Sequence, residues 1–403
     1  MHISSTILAS ALAMGVSAEN YLGFNSGATL ADRSAKFKKD FVAEMKTAQG
    51  LVGAPGTFNA IRLYTNIQAY SKDKPIEAFE AAIETKTKVL LGMWTSGTDT
   101  IQNEIDVLGA AVKQYGTKFT DLVIGISIGS EDLYRDSVTG VKNKAGVGNS
   151  PDNIVKFIGD YKKAFKDTPL AKVPIGHVDT WDAWTNSSVK SVIDAVDWVG
   201  VDEYPFYESG KGNKIDNAGT LFDRAYGATI GAVGGKPVWV TETGWPVTGK
   251  TWDEAVPSIE NAKTYWDEVG CRQLFNKVPT FWYTLRDSNP DNDVKFAITK
   301  DLSTKPLFDL TCPKTFKTKP QTSSGSSSPT ATGTGASKPT GSGGSGTNGG
   351  SGGSNTNGDS GSSTTTPAGA TTTAPKNGAS SVNKVSGAAY FALAVLAGAA
   401  TLL

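Results

Sequence analysis

The chain has 403 residues, with 39 Lys plus Arg against 39 Asp plus Glu, so its formal net charge is zero. Balanced charge without a basic stripe excludes nucleic acid as a partner. Two cysteines, and one histidine beyond residue 18, exclude a Cys- or His-rich metal site and leave His177 as the only histidine for any Ser-His-Asp or Cys-His machinery.

His177 lies within an apolar run, Val173–Val178, and reads as a structural histidine. No metal and no cofactor are expected. Residues 1–18 carry an apolar stretch, Ile7–Val16, followed by the small-x-small triplet Val16-Ser17-Ala18. Its n-region has only His2, yet the pattern is that of a secretory signal, and the run is too short to span a membrane. In an oxidising destination Cys271 and Cys312 are expected to form a disulfide. Asn186-Ser187-Ser188 is an N-glycosylation acceptor, whereas Asn149-Ser150-Pro151 fails at its third position.

The folded domain is expected over residues 19–316. Strand-like runs occur at Tyr21–Asn25, Asn59–Tyr64, Lys88–Trp94, Leu122–Ile128, Val173–Val178, Trp198–Val201, Pro237–Thr241 and Thr280–Leu285. Helical periodicity fills the gaps. Phe37, Phe41 and Met45 recur at four and stop at Gly50. Pro75 opens a helix carrying Ile76, Phe79 and Ile83. Ile101, Ile105, Leu108, Val112 and Tyr115 form a stripe closed by Gly116. Ser150-Pro151 is an N-cap and first-turn pair ahead of Ile154, Phe157, Tyr161 and Phe165. Ser187–Val196 and Leu221–Val233 are weaker, and Ile259, Ala262, Trp266 and Val269 mark the last long helix. Eight βα units in this length predict an α/β fold closed into a (β/α)8 TIM barrel. An open doubly wound sheet would carry a Gly-rich turn after the first strand, and Gly23-Phe24-Asn25-Ser26-Gly27 lacks that spacing.

Residues 317–379 are rich in Ser, Thr, Gly, Asn and Pro. They cannot bury enough apolar surface to offset ordering, and are expected to be a disordered, O-glycosylated stalk. Residues 380–403 include the apolar run Ala388–Leu403, with nothing basic after it. The order of small residues, spacer and apolar tail predicts a GPI-attachment signal that is removed, with the lipid on Asn377 or Gly378. The expected location is the extracellular side of the cell membrane, or the cell wall.

In such a barrel, chemistry sits at the C-terminal strand ends. Strand seven ends Val238-Trp239-Val240-Thr241-Glu242-Thr243-Gly244-Trp245-Pro246. Period two puts Val238, Val240 and Glu242 on one face and Trp239 and Thr241 on the other. Strand four ends at Glu131. Its residues Gly125, Ser127 and Gly129 share a face with Glu131, opposite Ile124, Ile126 and Ile128, which should pack on helices. Arg62, Tyr64, Trp94, Tyr204, Trp245, Trp282 and Tyr283 stand at other strand ends. Parity puts Trp198 and Trp239 outward and lets only one of Trp282 and Tyr283 face inward. Paired carboxylates cleave glycosidic bonds, and aromatic faces stack on sugars.

The run Val240–Pro246 resembles the nucleophile motif of family 17 glycoside hydrolases, the β-1,3-glucanases. Arg62-Leu63-Tyr64 is similar to that family's strand-two motif, and Gly125–Arg135, with Glu131-Asp132-Leu133-Tyr134-Arg135, to the fungal form of its acid/base motif. The resemblance implies retaining, endo-acting cleavage of β-1,3-glucan, with Glu242 as nucleophile and Glu131 as acid/base. It implies that Tyr204 hydrogen-bonds Glu242, that the other strand-end residues bind substrate, and that the protein is a cell-wall-remodelling monomer of the fungal surface. Ser130 departs from the wider clan, which has Asn there against the sugar 2-hydroxyl. A transglucosylase with the same two glutamates, or a glucan-binding wall protein without catalysis, are the alternatives.

Overall fold

The computed structural model describes residues 20–317. The expected signal, the stalk beyond Lys317, the attachment signal, and Asn377 and Gly378 lie outside the described residues. Eight strands form one closed parallel barrel, each paired to the next and the last to the first. They are β1 (Leu22–Ser26), β2 (Ala60–Leu63), β3 (Lys88–Met93), β4 (Val123–Ser130), β5 (Ile175–Thr180), β6 (Trp198–Asp202), β7 (Val238–Thr243) and β8 (Thr280–Trp282).

The helices follow the apolar stripes. Lys38–Gln49 ends where the Gly50 N–H donates back to Lys46. Gln102–Tyr115 ends at Gly116, and Pro151–Phe165 opens with the Ser150 hydroxyl accepting from the Asn153 N–H. Pro75 does not open its helix. It pairs with Ile67 in an antiparallel bridge, the Ile76 N–H donates to Asn66, and the helix starts at Ala78. The glycine-containing stretch makes a longer helix than expected, Ile215–Ala232. The last helix, Ile259–Tyr265, widens into a π-helix over Trp266–Leu274, where Trp266 packs on Phe58, Phe275 and Trp282. Cys271, within that turn, is bonded to Cys312. The bridge closes a loop of 41 residues, worth about 4 kcal/mol in the chain-entropy account.

Two apolar layers hold the barrel. The larger lies between strands and helices and takes Leu91, Met93, Ile126, Ile128, Val199, Val201, Val238 and Val240. The smaller fills the barrel itself with Ala60, Leu90, Ile124, Val178, Trp198, Trp239 and Phe281, one residue from each of seven strands. Trp198 and Trp239 therefore point inward, not outward. Their rings stack with centroids 4.3 Å apart. Glycine makes the room, since a Cβ on Gly176 would come within 2.3 Å of the Trp198 ring. Ile124 likewise belongs to the interior rather than to the helix-facing side.

This inward plug sets the parity of everything above it. Two residues beyond Ala60, Leu90, Trp198, Trp239 and Phe281 come Arg62, Gly92, Gly200, Thr241 and Tyr283. A further step brings Tyr64, Trp94 and Asp202, with Tyr204 next along β6. The mouth of the barrel is thus polar and aromatic over an apolar floor.

Candidate active site

Glu242 reaches the mouth because β7 slips. Val201 pairs with Val240 but Asp202 with Glu242, and on the other side Val240 pairs with Thr280 but Thr243 with Trp282. One extra residue on β7 therefore lies within Thr241–Thr243, a β-bulge that re-aims side chains. Thr241 stays inward, with its hydroxyl on Asp202 at 2.7 Å. Glu242 is turned inward as well, and Thr243 faces the helices, where its hydroxyl meets the Tyr265 hydroxyl and the Glu203 carbonyl. Glu242 thus does not share the outward face of Val238 and Val240.

Three donors converge on the buried Glu242 carboxylate. Arg62 Nη1 and the Tyr64 hydroxyl donate to Oε1, each at 2.6 Å, and the Tyr204 hydroxyl donates to Oε2 at 2.8 Å. Arg62 is itself anchored. Its Nη1 donates to Asn25 Oδ1 at 2.9 Å, and Asn25 Nδ2 donates to the carbonyls of Thr241 and Phe281. Its Nη2 donates to Ser130 Oγ at 2.9 Å. One guanidinium therefore joins the end of β7 to the end of β4.

β4 is also bulged. Ser127 pairs with Gly176 but Ser130 with Val178, and Gly129 between them has φ +90°. A Cβ there would lie 2.5 Å from Asp132 Oδ2 and 2.8 Å from the His177 ring, so only glycine fits. Glu131 follows with φ +57°, and its N–H donates to the Val178 carbonyl. The short turn after it is tied down from two sides. Asp132 accepts from the Ser130 N–H and the hydroxyls of Thr95 and Ser96, and Asp179 accepts from the N–H groups of Leu133 and Tyr134. His177 bridges the Ile128 carbonyl and Asp179, fully buried, as a structural histidine would.

Among the described residues the Glu131 carboxylate has one donor residue, Arg135, whose Nη2 lies 2.8 Å from Oε2. Arg135 Nη1 donates to the Ser130 carbonyl and the Ser96 hydroxyl, and the guanidinium lies 5.7 Å from the centre of the Trp94 ring. Burial pushes the Glu131 carboxyl up to about 8, with the charge of Glu242 adding to the rise and Arg135 opposing it. Glu131 is therefore protonated at neutral pH. The phenols of Tyr64, Tyr204 and Tyr283 are raised, first by burial and then by the charge of Glu242, so each stays a donor.

Of the residues expected at the site, Glu131, Glu242, Arg62, Tyr64, Ser130 and Tyr204 form one hydrogen-bonded network. Trp94 adjoins it through Arg135, and the Tyr283 ring lies 6.0 Å from that of Tyr204. Two do not join. Trp282 is 2% exposed and packs against Trp266 and Phe275 on the helix side, because Phe281 and Tyr283 take the inward positions. Trp245 is also 2% exposed, donates to the Val256 carbonyl and lies against Phe206 and Tyr265. Asn25, Arg135 and Asp202 were not among the expected site residues. The i, i+4 spacing of Glu131 and Arg135 was the signal for one of them.

Residues 24–298 match the BtgE/BtgC glycoside hydrolase domain. A probable glucan endo-1,3-beta-glucosidase, eglC, of Aspergillus niger is 52% identical over 308 residues, which is 76% of this chain and 66% of that protein. Its counterpart from Aspergillus terreus is 49% identical over 80% of this chain and 66% of its own length. The chain thus spans just under two thirds of the length of these relatives. Among solved structures, an active-site mutant of a Rhizomucor miehei beta-1,3-glucanosyltransferase in complex with laminaritriose superposes with a TM-score of 0.57 at 22% identity, over 71% of this chain and 96% of that one. That likeness is one of fold. With the family match covering the barrel and the two glutamates at its mouth, the chain belongs to the BtgE/BtgC glycoside hydrolase family, in keeping with the family 17 motifs at its strand ends.

Proposed function

We propose that the protein hydrolyses β-1,3-glucan within the chain, with net retention. The observation that carries this reading is the unequal treatment of two buried glutamates at one barrel mouth. Glu242, held by three donors, is the nucleophile that attacks the anomeric carbon and forms a glycosyl-enzyme. Glu131, protonated at rest, gives its proton to the leaving oxygen and then takes one from the incoming water. Arg62, Tyr64 and Tyr204 orient Glu242. Ser130, Trp94 and Tyr283 line the space where the sugar binds.

The surrounding reading is of a surface enzyme. The leader, the disulfide-bonded domain, the Ser/Thr-rich stalk and the apolar tail support secretion, a GPI anchor near Asn377 or Gly378 and action on cell-wall glucan as a monomer. Asn186 supports glycosylation of the domain: it lies on an exposed turn, and its Oδ1 caps the Ser188 N–H. A time course of products from laminarin tests the activity. Shorter oligosaccharides alone are expected. Accumulation of longer ones would mean that sugar rather than water reaches the intermediate, and no change in chain length would end the catalytic reading.

A further inference from the structure

Next to Glu242 lies a third carboxyl that double displacement does not use. Asp202 ends β6 on the inward face, is 3% exposed and pairs in register with Glu242. Donor counts separate it, with the buried Glu203, from the well-paired buried carboxyls. Glu242 is met by Arg62, Tyr64 and Tyr204. Glu44 is met by Lys36, Ser26 and Arg286. Asp179 is met by three backbone N–H groups, those of Leu133, Tyr134 and Thr180. Asp202 receives the Thr241 hydroxyl on Oδ1 at 2.7 Å, and its Oδ2 has no hydrogen-bond partner among the described residues. A buried anion persists only where donors or a paired cation surround it.

The groups facing Asp202 are Arg62 on β2, Glu131 beyond β4, Glu242 on β7 and Tyr204 beyond β6. The one cation among them, Arg62, has Nη1 on Glu242 and Asn25 and Nη2 on Ser130. An ionised Asp202 would compete with Glu242 for that charge.

We infer that Asp202 is a positioning residue for the reaction: as a neutral acid it pins Thr241 at the bulge that turns Glu242 into the mouth, and leaves the Arg62 charge to Glu242. Burial, then the neighbouring Glu242, holds its carboxyl well above the usual range against the pull of Arg62, which agrees with the donor count. The Thr241 carbonyl accepts from Asn25 and Arg62, so the anchored residue is also part of the cradle. The inference rests on Glu242 as the nucleophile.

The test has a spectroscopic arm and a kinetic arm, both on the full chain. At neutral pH the infrared spectrum should show a protonated-carboxyl band that Asp202→Asn removes. Asp202→Ala should lower kcat on laminarin by about tenfold or more with little change in KM, the mark of lost positioning rather than lost binding. Asp202→Asn should recover most of that loss, since its amide oxygen accepts from Thr241 without charge, and should leave the acid limb of the pH–rate profile in place. Thr241→Val breaks the same bond from the other end and should lower kcat alone, which keeps the question open to measurement if Asp202→Ala does not fold. An unchanged infrared band, an acid limb that moves down in Asp202→Asn, or Thr241→Val at full kcat would overturn the inference. If Glu242→Gln were active, the proposed function would fail, while the infrared arm would still report on Asp202.

Discussion

The ends of β7 and β4 present the same side chain in opposite company. Glu242 has an arginine and two phenols, spread over both carboxylate oxygens. Glu131 has one arginine on one oxygen and is buried too. Each donor favours the anion, and burial favours the neutral acid. At β4 burial wins, and the Glu131 carboxyl rises to about 8. The comparison teaches that the division of labour lies in the donor count around each carboxylate, which the strand sequences alone do not display. The first way to break it is to remove each carboxylate in turn. Glu242→Ala should lose more than about 10⁴-fold in kcat on laminarin and on an activated aryl glucoside alike. Glu131→Ala should lose about 10²–10⁴-fold on laminarin but keep the first step on the aryl substrate, whose leaving group needs no proton. Azide should rescue both, giving the β-azide from Glu131→Ala by two displacements and the α-azide from Glu242→Ala by one. Reversed anomers, read by NMR, would reverse the roles.

The strand order of this pair was legible, and the aim of each side chain was not. Eight strands and most helices follow from apolar periodicity and punctuation, with strand ends displaced by only a few residues. Parity worked in β8: it put either Trp282 or Tyr283 inward, and the inward Phe281 selects Tyr283. It failed at the bulges in β7 and β4, where one inserted residue reverses the faces and only Gly129 hints at the cause. It also failed for Trp198 and Trp239, since a strand buried on both sides offers no polar face to orient it. Asn25 and Asp202 were missed for a related reason. Each is a polar residue at or next to the end of a short strand, and only the closed barrel brings it to Arg62 or Thr241.

A smaller perturbation sharpens the contrast by changing the donors rather than the carboxylates. Tyr204→Phe and Tyr64→Phe each delete one hydrogen bond to a charged acceptor, an interaction of about 1.5–3 kcal/mol. Either should lower kcat about tenfold or more, measured with laminarin at saturation, because Glu242 loses part of its alignment. Equal rates for wild type and both variants would mean that Arg62 alone positions the nucleophile.

The resting proton on Glu131 gives a signature in pH. The acid form is the competent one, so kcat/KM should fall about tenfold per pH unit above about 8. The stability of the fold moves in the same direction. A carboxyl whose folded value lies above its ordinary 4.5 contributes stability that is complete below that value and is lost as pH rises through about 8. Thermal melts should therefore show the wild type losing more stability between pH 5 and pH 9 than Glu131→Gln does. A basic limb well below about 7, or identical slopes for the two proteins, would contradict a neutral Glu131.

The mildest test leaves both glutamates and all donors to Glu242 untouched. Among the described residues Arg135 is the one group that draws Glu131 toward its anion by direct contact, through Nη2 at 2.8 Å. It also holds the β4 turn through the Ser130 carbonyl and the Ser96 hydroxyl. Replacing it separates these two effects. Arg135→Gln removes the charge, so Glu131 should keep its proton to higher pH and the basic limb of kcat/KM should move up, by about one unit for a contact cation of this kind. Arg135→Lys keeps the charge but not the planar fork, so the limb should stay near its wild-type position while kcat falls from a looser turn. If the limb moves down in Arg135→Gln, Arg135 supports Glu131 chiefly by geometry, and the electrostatic half of the β4–β7 comparison would have to be assigned to burial alone.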